Sequence, residues 1–248
     1  DHWRSALAHD IAIRKVQQFY FFTQWLELKQ YANDRGVLIV GDLPIFVAAD
    51  SADVWAAPRQ FIVDEECRPI RVAGVPPDYF SETGQRWGNP VYNWDAMKAD
   101  HFNWWVRRFE GTRTLVDIIR VDHFRGFEAG WSIPAEAETA IDGVWVPAPG
   151  DELFREVKRR LGELPIIAED LGLITPEVEA LRVNHGFPGM KVLQFAFDSL
   201  DHGSTTFLPH NHEPASVVYT GTHDNDTTVG WYQKCSLQTK QRIDDYIG

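Results

Sequence analysis

The sequence predicts an α/β fold built on a parallel sheet, and three observations predict it. Short β-branched runs recur at Val37–Val40, Ile118–Val121, Pro165–Ala168 and Val217–Thr220, without the polar alternation of a strand that faces water. Segments with apolar residues at helical spacing lie between them. The apolar runs also end in acids: Asp42, Asp122, Glu169, and Asp224 with Asp226. Alternating strands and helices with buried strands imply a parallel sheet, open and doubly wound or closed as a (β/α)8 TIM barrel. Acids gathered at the C-terminal ends of strands favour the barrel, whose chemistry sits at that face. No glycine-rich phosphate loop follows a strand, which counts against a dinucleotide fold.

In chain order, Ala8 to Arg35 reads as helix, in one piece or two. Val16, Phe19, Tyr20, Trp25 and Leu28 fall near helical spacing, and Gly36 sits where a helix would end. Val37–Val40 is the first strand. From Ala48 to about Asp95 the chain is mostly irregular and rich in Pro, Gly and aromatics, a length that marks a functional excursion or a subdomain. Its Tyr79, Phe80 and Trp87, with Gln85, Arg86 and Asn89, suit a lid over a polar ligand, or else a cluster packing the loop to the body. Asp95 is a candidate cap for the next helix, whose stripe is Phe102, Trp105, Val106 and Phe109. That helix feeds the Ile118–Asp122 strand, and a loop follows from Gly126 to Gly150. A helix over Asp151–Leu161, the strand ending at Glu169 and a helix opened by Thr175-Pro176 come next. Met190–Phe197 and Val217–Thr220 are the last strands, with helix from about Thr228.

A chain of 248 residues is long enough for one large α/β domain or two small ones. Its 44% hydrophobic content argues against disorder, and its net charge of -12 argues against a nucleic-acid surface. No apolar run is long enough to span a bilayer, so no membrane partner is expected. Two cysteines, Cys67 and Cys235, make no disulfide framework and fit a reducing, cytoplasmic setting. The start at Asp1 suggests a fragment. Ten tryptophans fit either core filling or the flat faces that sugar rings prefer.

Residues two apart on a strand share a face, so Arg120 and Asp122 point the same way and the guanidinium favours the ionised carboxylate. That suits a nucleophile, or a structural ion pair tying down a loop. Glu169 follows Ile166, Ile167 and Ala168 with no basic neighbour in sequence, and partial burial would raise its pKa toward that of a proton donor. A retaining glycosidase needs two such carboxyls about 5–5.5 Å apart. His123 and His223 can donate to a hydroxyl-rich ligand or stand as hydrogen-bonded loop histidines. Asp170 points to the opposite face and reads as structural. A metal-dependent barrel hydrolase using His123, His223, Asp224 and Asp226 is a rival, although a cation at Arg120 is repulsive to a metal.

Five stretches carry a resemblance: Gly41-Asp42-Leu43-Pro44-Ile45-Phe46, Gly74-Val75-Pro76-Pro77-Asp78-Tyr79-Phe80-Ser81-Glu82-Thr83-Gly84-Gln85-Arg86-Trp87-Gly88-Asn89-Pro90, Arg120-Val121-Asp122-His123-Phe124-Arg125-Gly126, Ala168-Glu169-Asp170-Leu171-Gly172 and Tyr219-Thr220-Gly221-Thr222-His223-Asp224-Asn225-Asp226. Together they resemble the 4-α-glucanotransferases, the amylomaltases or disproportionating enzymes of the α-amylase clan. The resemblance runs over nearly the whole chain, and its long second stretch is specific within that clan.

The resemblance implies a partial TIM barrel showing about strands 3 to 7 of eight, formed by 1–47 and 96–248, with 48–95 as a lid-like insertion. It implies Asp122 as nucleophile, Glu169 as general acid/base and Asp224 as the third carboxylate. It further implies that Arg120, His123, His223 and Asp42 orient the nucleophile or bind donor hydroxyls, and that Tyr79 and Trp87 meet the glucan from the lid. The implied activity is transfer of α-1,4-glucan segments to the 4-hydroxyl of an acceptor, with maltooligosaccharides as partners and no metal or organic cofactor. An α-glucan hydrolase of the same clan and a non-catalytic glucan binder are the alternatives.

Overall fold

The computed structural model describes residues 2–78, 81–198 and 202–248. Among them the strands are, in chain order, β1 (Val40–Pro44), β2 (Arg71–Val75), β3 (Gln85–Pro90), β4 (Ile118–Asp122), β5 (Ala129–Pro134), β6 (Val144–Pro147), β7 (Ile166–Ala168), β8 (Gly189–Val192) and β9 (Ser216–Tyr219). Strands β1, β4 and β7 form a parallel sheet in that order, and β8 pairs in parallel with β9. The Ala168 N–H donates to Pro188 O at 2.9 Å, joining the end of β7 to the start of β8. The parallel strands therefore follow one another in space in the order in which the chain makes them.

The apolar runs find the burial that their composition asks for. Ile119, Val121, Ile166, Ile167 and Ala168 are all buried. Helix Asn103–Leu115 buries Trp105, Val106 and Phe109, and helix Gly150–Leu161 buries Leu153, Phe154 and Val157. One core unites these stripes with the strands and with Phe124 and Phe127. The ring of Phe127 lies 5.0 Å from those of both Trp105 and Phe154. The turn that follows Asp122 is thus rooted in the core.

Several elements differ from the sequence reading. The first strand starts at Val40, and Val37 and Leu38 are exposed. β1 has β4 on one side only, and among the described residues no strand covers its other edge. Helix Ala8–Asn33 buries none of its side chains. It is tied down by polar contacts at its C-terminal half: Trp25 Nε1 donates to Leu115 O at 2.7 Å and Lys29 Nζ to Val116 O at 2.9 Å. Asn93, not Asp95, caps helix Trp94–Ala99 by accepting from Ala96 N, and Asp95 stands in its first turn. The run Met190–Phe197 leaves its strand after Val192 and turns into helix Phe195–Asp198.

The largest difference lies in the two excursions. The irregular stretch after β1 contributes β2 and β3, the loop after Gly126 contributes β5 and β6, and the four form one antiparallel sheet in the order β3-β2-β5-β6. Glycines and prolines break the period-2 pattern in these segments, and β2 pairs with β5 across a long sequence separation, so neither local signal was present. The sheet carries Trp87 on β3 over the end of β4.

Trp105 is fully buried, with ring contacts to Tyr92, Trp104, Phe109 and Phe127. Trp105→Ala is expected to lower stability by about 3–5 kcal/mol through lost burial and the cavity left behind. Urea unfolding of the two proteins measures it; a loss under about 1 kcal/mol would place the core elsewhere.

Candidate active site

The site is built on a register match. β1 and β4 run in parallel with Asp42 directly opposite Arg120, so both side chains and that of Asp122 project to one face. Arg120 Nη1 lies 3.0 Å from Asp42 Oδ1 and 3.0 Å from Asp122 Oδ1. The guanidinium is almost fully buried, while the two carboxylates are about two-fifths exposed, at 41% and 42%. Burial works against the charge on Arg120; Asp42, Asp122 and Glu169 outweigh it and hold its pKa above the usual value. The cation is therefore a fixed feature, with its two acids partly exposed.

Glu169 follows β7 and is bonded to the turn after β4. Its N–H donates to Val121 O at 2.9 Å, and its carbonyl accepts from Phe124 N at 3.0 Å. Its carboxylate accepts from His123 N and from Leu171 N, each at 2.8 Å. The residue adjoining Asp122 thus donates to the carboxylate of Glu169, and the two acids share one corner of the molecule. Burial raises the Glu169 pKa to about 7, with Asp122 adding to the rise and the two backbone N–H groups and Arg120 opposing it. At neutral pH it is poised between acid and carboxylate.

Arg125 locks the same two loops together. Its Nη1 donates to Leu173 O at 2.9 Å in the loop after β7, and its guanidinium lies 3.8 Å from the Trp145 ring centre on β6. His123 adopts the left-handed region, φ 52° and ψ 52°, which costs a non-glycine residue about 1 kcal/mol. Its ring meets Trp87 edge-on at 4.8 Å, and its buried Nε2 has no hydrogen-bond partner among the described residues. Burial and the charge of Arg125 lower its pKa to about 4, so the ring is neutral at pH 7 and its bare nitrogen suits a hydroxyl.

Asp122, His123, Trp87, Asn89, Phe46, Ile45 and Pro44 enclose a cleft of about 220 Å3. Tyr92 OH and Arg108 Nη1 both donate to Ile45 O, which fixes the turn carrying Phe46. The structure therefore brings together Asp42, Arg120, Asp122, His123, Glu169 and Trp87. Tyr79 lies outside the described residues. Asp224 and His223 stand in the turn after β9, both exposed, with His223 Nε2 3.5 Å from Asp224 Oδ2. Among the described residues no hydrogen bond or ion pair links them to Asp122 or Glu169. Asp226 pairs with Lys234 at 2.6 Å. No group of three or more His, Cys, Asp or Glu with a metal-holding arrangement occurs among the described residues, so the four residues of the metal reading are not gathered. Phe46 was not singled out in the sequence, although it closes a quoted stretch; the asparagine of the lid, Asn89, does reach the cleft.

The 4-alpha-glucanotransferase family model matches residues 1–248. The chain is 57% identical over 247 residues to a 4-alpha-glucanotransferase of Thermus thermophilus, covering 98% of this chain and 49% of that protein. It is 55% identical over 249 residues to one from Synechocystis, covering 99% and 49%. Its structure is similar to that of amylomaltase from Streptococcus agalactiae in complex with acarbose, with a TM-score of 0.94 at 45% identity, covering 99% of this chain and 49% of that one. The chain spans about half the length of the curated relatives it matches.

The environment of Glu169 can be read directly. Infrared or carbon NMR titration of its carboxyl is expected to give a midpoint near 7. Asp122→Asn removes a neighbouring negative charge and should lower that midpoint. A midpoint near 4.5 in the unsubstituted protein would mean that the carboxyl is solvated.

Proposed function

The chain belongs to the 4-alpha-glucanotransferase family, and from that premise we propose that it transfers α-1,4-glucan segments to the 4-hydroxyl of an acceptor sugar by a retaining double displacement. The observation that carries the reading is the contrast between two acids on one corner. Asp122 sits on a fixed cation at 3.0 Å, and Glu169 is partly buried with a pKa raised to about 7. That division of environments is what a nucleophile and a proton donor need.

In this reading Glu169 gives its proton to the glycosidic oxygen while an Asp122 oxygen bonds to the anomeric carbon. The sugar on the reducing side leaves with the proton, and a β-glucosyl ester remains. The 4-hydroxyl of an acceptor then attacks the ester carbon, Glu169 takes that hydroxyl's proton, and the second inversion restores the α-linkage. Asp42 and Arg120 hold the nucleophile, and the neutral His123 ring meets donor hydroxyls. Asp224 and His223, at the C-terminal end of β9, serve the donor sugar as the third carboxylate and its neighbour. Transfer prevails over hydrolysis where an acceptor sugar fills the cleft better than water does, and Trp87 and Phe46 offer ring faces for one. Tyr79 is assigned to the same lid on the strength of the resemblance. The runner-up is an α-glucan hydrolase with the same acids and a wetter cleft.

The parallel strands are read as about strands 3 to 7 of a (β/α)8 barrel, formed by 1–47 and 96–248, with 48–95 as the lid-like insertion. Supporting this is their spatial succession in chain order, without the reversal of a doubly wound sheet. No described helix is long and apolar enough to cross a membrane. Cytoplasmic work on maltooligosaccharides is the setting that fits cysteines without a disulfide between them.

With maltotriose, the full chain is expected to yield glucose together with oligosaccharides longer than the donor. Glucose and maltose alone would make it a hydrolase. Asp122→Ala should cut transfer by about 10³-fold or more; substantial remaining transfer would remove Asp122 from the nucleophile role. The alkaline limb of kcat/KM should fall near pH 7, because Glu169 must be protonated to act as acid and loses that proton as pH rises through about 7.

A further inference from the structure

Behind the acids a buried path reaches Arg120 from β8. Arg120 Nε donates to Met190 Sδ at 3.3 Å, with Met190 only 1% exposed. The Met190 N–H donates to Asp170 Oδ1 at 2.6 Å. Asp170 Oδ2 forms an ion pair with Arg182 Nε at 3.3 Å, both side chains 4% exposed. Arg182 is itself held by Glu179 at 2.6 Å and by Phe187 O at 2.9 Å. Gly189 completes the clamp: a Cβ there would stand 2.3 Å from Asp170 Oδ2, so only glycine lets the carboxylate press on the start of β8.

Resting on the reading of Asp122 as nucleophile, we propose that Met190 and Asp170 are positioning residues: Asp170 fixes the start of β8, and through it the Met190 sulfur fixes the guanidinium that holds Asp122. The chemistry of the acceptor matters. Arg120 already faces Asp42 from β1, Asp122 from its own strand and Glu169 from the loop after β7. A further carboxylate at its Nε would compete for the charge and pull the planar group away from the cleft. A thioether accepts the Nε–H without adding negative charge, so one end of the guanidinium is pinned and the other stays with the two acids. Asp170 cannot take that place itself, because its oxygens are committed to Met190 N and Arg182. Its burial raises its pKa, against the Met190 N–H, Lys191 and Arg182, which favour the charged form.

The experiment uses the full chain with two donors, maltotriose and α-glucosyl fluoride, whose leaving fluoride needs no proton from Glu169. Met190→Leu keeps the volume and removes the acceptor. Its expected effect is a fall in kcat of about three- to tenfold on both donors with KM unchanged. Met190→Gln restores a neutral acceptor and should recover most of that loss. Asp170→Asn, which keeps an oxygen for Met190 N but loses the charge opposite Arg182, should lower kcat in the same direction. Wild-type kcat in Met190→Leu, or equal impairment in Met190→Leu and Met190→Gln, would overturn the proposal and leave Met190 as core filler. Failure of the underlying reading looks different: Asp122→Ala would then keep its transfer, whatever Met190 does. An inactive Asp122→Ala beside an unaffected Met190→Leu condemns the positioning role alone.

Discussion

One buried cation organises the site. Arg120 projects from the middle strand of the β1-β4-β7 sheet and touches an acid on each of two strands, Asp42 and Asp122, at 3.0 Å. A buried charge that lost its partners would cost several kcal/mol, so the guanidinium binds the two acids to each other as much as to itself. The parallel register of β1 and β4 creates this meeting, since it sets Asp42 opposite Arg120. A slip of one residue in either strand would put Asp42 and Arg120 on opposite faces and leave the cation half-satisfied.

Around that cation the fold separates two carboxyls of the same chemistry. Asp122 lines the cleft, partly exposed, on a positive charge. Glu169, bonded to the turn after β4 through its backbone and carboxylate, lies deeper, where burial favours its protonated form. The antiparallel sheet of the two excursions then lays Trp87 against His123 and closes the cleft on one side. Strands set the acids, and loops shape the space between them, which is the usual division where a rigid sheet carries function at its strand ends.

The parts of this arrangement legible in the sequence were those with local signals. The β-branched runs ending in Asp122 and Glu169 announce buried strands with acids at their ends, and the stripe Trp105, Val106, Phe109 announces its helix. The pairing of β2 with β5 was not legible, because it joins distant segments interrupted by glycine and proline. Met190 read as an ordinary strand residue: nothing in a sequence marks a sulfur that accepts from an arginine seventy positions away. The outward face of helix Ala8–Asn33 also ran against its pattern, since apolar spacing predicts a buried stripe and every residue of that helix stays at least partly exposed. The family motifs suggested the proposed roles; the strand register and the hydrogen bonds of Glu169 give physical reasons that support them.

The nucleophile is tested most simply by trapping the covalent intermediate. The full chain incubated with 5-fluoro-α-glucosyl fluoride, which slows breakdown of the glycosyl ester, is digested and mapped by mass spectrometry. A single glycosyl ester is expected on the peptide that contains Asp122, at Asp122 itself. A label on Glu169 or Asp224, or turnover that never accumulates an ester on any carboxylate, would contradict it.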